Sequence, residues 1–166
     1  GPETAIREGR PTAERSKPDG TTADRSTRAE APLRAELHLR GDTHHGFGVR
    51  EVASRLESLG ASGVFDRVEL AGEWPRCRTR AEDERSWPMT TYETFRRWAD
   101  RNGVSLAPGF QERTRGFVGT DDTEEVVVFP VVALAIYDDQ DLTAVFPCAD
   151  EARTYTVERA LTAFEQ

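Results

Sequence analysis

The chain has 166 residues, room for one ordinary domain and a tail, and carries 30 acidic against 22 basic side chains, a net charge of −8. No apolar run reaches the roughly 18 residues of a transmembrane helix, and the opening residues lack the apolar core of a signal peptide. Two cysteines, Cys77 and Cys148, make no disulfide framework and fit a reduced, cytoplasmic setting.

Residues 1–32 hold six basic and six acidic side chains, no aromatic residue and one large aliphatic, Ile6. Such a segment cannot bury enough surface to offset its ordering entropy, so a disordered tail or linker is expected before a single domain at 33–166. The chain opens Gly1-Pro2 rather than Met, as a protease scar or a piece of a longer protein would.

Leu33, Ala35, Leu37 and Leu39 alternate with Arg34, Glu36, His38 and Arg40, which predicts a strand with one wet face. After the turn 41–46, Val49, Val52, Ala53, Leu56 and Leu59 fall at helical spacing, with Gly60 as the stop. Alternation returns over 64–74, placing Val68, Leu70 and Trp74 on one side. Residues 75–89 read as a long charged connection. Thr90 and Glu93 then form a capping box for a helix with Phe95, Trp98 and Ala99 inside, ended by Asn102-Gly103.

Residues 110–118 and the long apolar run 124–137 predict a hairpin. That run is the most apolar stretch of the chain and reads as one strand, or two strand segments, buried on both faces. Asp138 to Asp141 is a turn, 142–146 a further strand, and 154–165 a last helix carrying Val157, Ala160, Leu161 and Phe164. The order β-α-β-α-β-β-β-α predicts an α+β fold, related to the ferredoxin-like arrangement. Its mixed or antiparallel sheet has about five strands, with three helices packed on one face.

The Arg34 to Leu37 strand, the Phe95-x-x-Trp98-Ala99 helix, the Pro130 to Tyr137 strand and Pro147-Cys148 together resemble a family of short haloarchaeal proteins. Some of those proteins carry a helix-turn-helix label. The likeness covers 33–166 and brings no established catalytic residues. The composition looks alike too: only Lys17 among the basic residues is lysine, and carboxylates hold water and cations in brine. Strong salt screens charge beyond about 3 Å, so acidity excludes nucleic-acid binding less firmly there. A helix-turn-helix needs two helices joined by a short turn, whereas every helix predicted here is flanked by strands.

Three candidate chemistries remain. His38, His44, His45, Cys77 and Cys148 lack the paired spacing of a zinc site and read as solvated histidines and separate thiols, so no metal or cofactor is expected. Cys77, among Arg76, Arg78 and Arg80, is the one redox candidate, because nearby guanidinium groups favour thiolate. Arg76, Arg78, Arg80, Arg96, Arg97, Arg113 and Arg115, with Trp74 and Trp87 flanking the charged loop of the 74–89 segment, form the candidate binding surface.

With no assembled catalytic constellation, the leading reading is a non-enzymatic cytoplasmic module that binds a protein partner or a small signal. A DNA-binding transcriptional regulator is the first alternative, and a small Cys-dependent enzyme or redox sensor the second. A homodimer would pair strand 33–40, as an edge, with its copy.

Overall fold

The computed structural model describes residues 33–41, 48–80 and 85–166; the expected tail 1–32, residues 42–47 with His44 and His45, and residues 81–84 lie outside the described residues. In chain order the elements are β1 (Leu33–Arg40), α1 (Val49–Ala61), β2 (Arg67–Trp74), β3 (Cys77–Thr79), α2 (Trp87–Asn102), β4 (Gln111–Gly116), β5 (Thr123–Val128), β6 (Val132–Asp138), β7 (Asp141–Phe146), β8 (Cys148–Ala149), β9 (Thr154–Tyr155) and α3 (Val157–Glu165). This is an α+β fold. Strands beyond the expected five include β3, β8 and β9, which have two or three residues each and are too short to show a period.

The main sheet has the order β2-β1-β6-β7, with β1 parallel to β2 and antiparallel to β6. A second sheet, β3-β5-β4, is antiparallel throughout. The apolar run serves both. It breaks at Phe129-Pro130-Val131, where proline has no N–H for a ladder, and sends β5 to the small sheet and β6 to the large one. In β6 the four residues Ala133 to Ile136 are all buried, as expected for a strand covered on both faces.

Strand β1 lies inside the main sheet, so the idea that 33–40 is an edge offered to a second copy does not hold. The sheet's edges are β2 and β7. Nor do the helices share one face. Ala35 pairs with Val68, whose Cγ2 would sit 3.2 Å from a Cβ at Gly60, so α1 covers the Ala35 face. His38 pairs with Gly72, where a Cβ would meet the Trp87 indole at 2.8 Å, so α2 covers the opposite face. The helix α3 packs on α1, where Arg55 reaches both Glu165 carboxylate oxygens at 2.7 and 2.8 Å.

Three local expectations change for physical reasons. Gly60 is not the helix stop: α1 continues to Ala61 and ends at left-handed Gly63, and Gly60 instead permits close approach to Val68. Helix α2 begins earlier than the Thr90–Glu93 box, because Ser86 accepts a hydrogen bond from the Met89 amide and Pro88 fits the first turn. A bulge in β2, where Leu37 pairs with Leu70 but His38 with Gly72, switches faces midway. Leu70 is therefore exposed while Trp74 is buried. Among the described residues no helix is long and apolar enough to cross a membrane.

Candidate functional site

The polar face predicted for β1 is not wet. His38 is 2% exposed and packs in a cluster with two indoles, its ring 5.1 Å from Trp74 and 5.7 Å from Trp87, which are themselves 6.2 Å apart, with Phe95 edge-on at 5.4 Å. Trp74 continues the pillar onto Phe129 at 5.0 Å and donates its indole N–H to Pro130 O at 3.0 Å. His38 Nε2 stands 3.4 Å from Glu36 Oε1, and Nδ1 has no hydrogen-bond partner among the described residues. The His38 imidazole, and then the Arg34 guanidinium, hold the Glu36 carboxyl below its ordinary value against the effect of burial. His38 is thus part of the packing under α2, not a solvated histidine. Trp74, 1% exposed, is not available to a partner; Trp87, 41% exposed, is partly so.

Above this pillar, α2 is tied to the small sheet by ion pairs. Glu93 binds Arg80 and, at 3.0 Å, Arg96, which also reaches Asp100 at 3.5 Å. Arg80 approaches Glu112 at 3.5 Å, and Glu112 accepts from the Tyr92 hydroxyl. Both carboxylates of α2 are thereby engaged by arginine. The outward side of the helix carries Thr90, Thr94, Arg97 and Arg101, spaced four, three and four residues apart and all exposed. Arg97 and Arg101 make no ion pair among the described residues. This stripe presents hydroxyls and guanidinium groups, and the carboxylates at its border, Glu93 and the exposed Asp100, face Arg80 and Arg96.

The other predicted residues scatter. Arg76, just before β3, and Arg78, within it, are exposed. Arg113 donates to Gln111, and Arg115 bonds Glu124 across β4 and β5. A solvent-open cavity of about 760 Å³ separates α2 from β5, lined by Arg80, Arg85, Met89, Glu93, Thr123, Glu124 and Glu125. Its mixed charge selects no ligand class.

Cys77 is half-buried. Along β3 it alternates with Arg78, so that guanidinium is carried to the opposite face, and Arg80 is drawn to α2. The guanidinium beside the thiol is that of Arg115, two strands away, which Glu124 already holds. Cys148 is buried, and burial first, then Asp150, pushes its thiol up to about 12. At pH 8, one equivalent of thiol per native chain is expected to react promptly with a disulfide reagent, and the second only after unfolding. Two prompt equivalents would contradict the burial of Cys148. Among the described residues no group of three or more His, Cys, Asp or Glu is placed to hold a metal ion.

Sequence reasoning missed the burial of His38, the Thr-Arg stripe as a unit and the apolar tip of the β4–β5 hairpin. The stripe was within reach: positions 90, 94, 97 and 101 follow helical spacing. The tip, Phe117-Val118, lies just past the end of β4, which stops at Gly116 instead of continuing to Val118.

Residues 27–166 match the family described as Helix-turn-helix domain. No curated protein and no solved structure matches the chain. Among the described residues no two helices are joined by a short turn: β2 and β3 separate α1 from α2, and β4 to β9 separate α2 from α3. The family label therefore names a docking geometry that these helices do not reproduce. Because the match spans most of the length, the chain belongs to this helix-turn-helix domain family.

Proposed function

We propose that the protein is a non-enzymatic regulator that acts in the cytoplasm and contacts DNA through the outward side of α2. The observation that carries this reading is the Thr90–Thr94–Arg97–Arg101 stripe on a helix whose carboxylates are already paired with Arg80 and Arg96. Arginine serves phosphate and guanine contacts alike, and threonine hydroxyls read base edges and phosphates. Family membership supports the same reading. A single helix laid in a major groove needs no second helix joined to it by a turn, and the main sheet supplies the rigid backing that a first helix supplies elsewhere.

The acidic, lysine-poor composition makes molar salt the right condition for the test. A random DNA pool is selected with the full chain at molar salt, and affinity for the enriched site is then measured. An enriched motif is expected, with Arg97→Gln plus Arg101→Gln weakening binding roughly tenfold or more. Arg159→Gln, on α3, is the control. Absence of any enriched motif, or unchanged binding by the double variant, would overturn the proposal.

A further inference from the structure

We propose that Phe117 and Val118, at the tip of the β4–β5 hairpin, insert into an apolar pocket rimmed by basic side chains on a protein partner. Single exposed apolar residues are ordinary, but here two adjacent ones stand at the end of a hairpin. Phe117 is 47% exposed and Val118 wholly so. The loop carries hydrogen bonds of its own. Thr120 N donates to Phe117 O at 3.2 Å, Asp122 N donates to Thr120 Oγ1 at 3.0 Å, and Gly119 turns the chain at φ 86°. The apolar pair is thus displayed in a set conformation, which lowers the ordering cost of docking.

Charge names the kind of partner. Asp121 and Asp122 follow the tip, exposed and without an ion pair among the described residues. Behind them Arg115 is neutralised by Glu124, and Glu125 takes a hydrogen bond from Thr114. The field around the tip is negative, which disfavours phosphate and favours lysine or arginine at the rim of the receiving pocket. Strand β4 behind the tip is exposed along most of its length and lies at the edge of its sheet, so a partner can reach the hairpin freely.

The test keeps the full chain. Phe117 is replaced by the photocrosslinking residue benzoylphenylalanine, with exposed Glu57 of α1 replaced likewise as control, and cells of the native host are irradiated before lysis. The expected adduct joins position 117 to one identified protein at an apolar site flanked by Lys or Arg. With that protein purified, Phe117→Ser and Val118→Ser each weaken binding roughly tenfold or more without changing the melting temperature. Asp121→Asn with Asp122→Asn weakens it and flattens its salt dependence. Adducts to a second copy, to DNA or to lipid, no adduct above the Glu57 control, or full-strength binding by both serine variants would each overturn the proposal. None of these readings depends on Arg97 or Arg101, so failure here and failure of DNA recognition through α2 are separable.

Discussion

Trp74→Ala is expected to lower stability by about 3–5 kcal/mol, the range for truncating a large buried aromatic residue. The indole is 1% exposed, stacks on His38 and Phe129, meets Phe110 edge-on and bonds Pro130 O. Its loss opens a void beside an imidazole whose Nδ1 has no hydrogen-bond partner among the described residues, and water entering there would find mostly aromatic walls. The damage also spans both sheets, because Trp74 ends β2 while Phe129 and Pro130 join β5 to β6. Trp74→Phe should recover most of the loss, leaving a deficit of about 1 kcal/mol for the missing hydrogen bond and smaller ring. Urea denaturation of the three proteins checks this. A loss below about 1 kcal/mol for the alanine variant would mean that the pillar does not bear on stability.

Gly109→Ala is expected to cost about 1–3 kcal/mol by overpacking. A Cβ at Gly109 would overlap Cγ of Pro147 and stand 3.0 Å from its Cβ, and a proline ring cannot rotate aside as an exposed chain end can. The 105–110 segment must then lift. It is anchored at Ser105, which exchanges two 2.8 Å hydrogen bonds with Ala149, so the strain passes to Phe110. Phe110 is 1% exposed and touches Trp74, Tyr92, Phe95 and Phe129. Gly116→Ala is the comparison: its nearest neighbour is Asp122 O at 3.9 Å, so thermal unfolding should shift little. Equal shifts for the two variants would refute the steric argument.

Much of the framework was legible because periodicity reports it directly. The β1, α1 and α3 patterns, the hairpin of β4 and β5 and the terminating Gly103 all follow from apolar spacing or a left-handed cap. What escaped lies in tertiary cover. Glu36 and His38 alternate with leucines as a wet face would, yet α2 buries His38, and nothing local distinguishes a solvated strand face from one covered by a later helix. The bulge at β2 reversed the sides of Leu70 and Trp74, which no alternation count anticipates. At the candidate site, arginine-rich composition suggested one basic surface. The fold instead commits Arg80, Arg96 and Arg115 to carboxylates and leaves Arg97 and Arg101 outward. Which guanidinium is spoken for depends on residues such as Glu93 and Glu124, brought close only by strand and helix packing.

The position of β1 between β2 and β6 has a consequence for how the protein is born. A chain emerging from the ribosome can set β1 beside β2 as soon as α1 and β2 have emerged, since that unit is local in sequence. The other flank of β1 has no partner until Val132 to Asp138 have been made. At roughly 5–20 residues per second, that flank stays open for several seconds, a ready template for a neighbouring nascent chain. The alternating Arg34, Glu36 and Arg40 along the same strand put charge on that temporary border while the protein waits for its own β6.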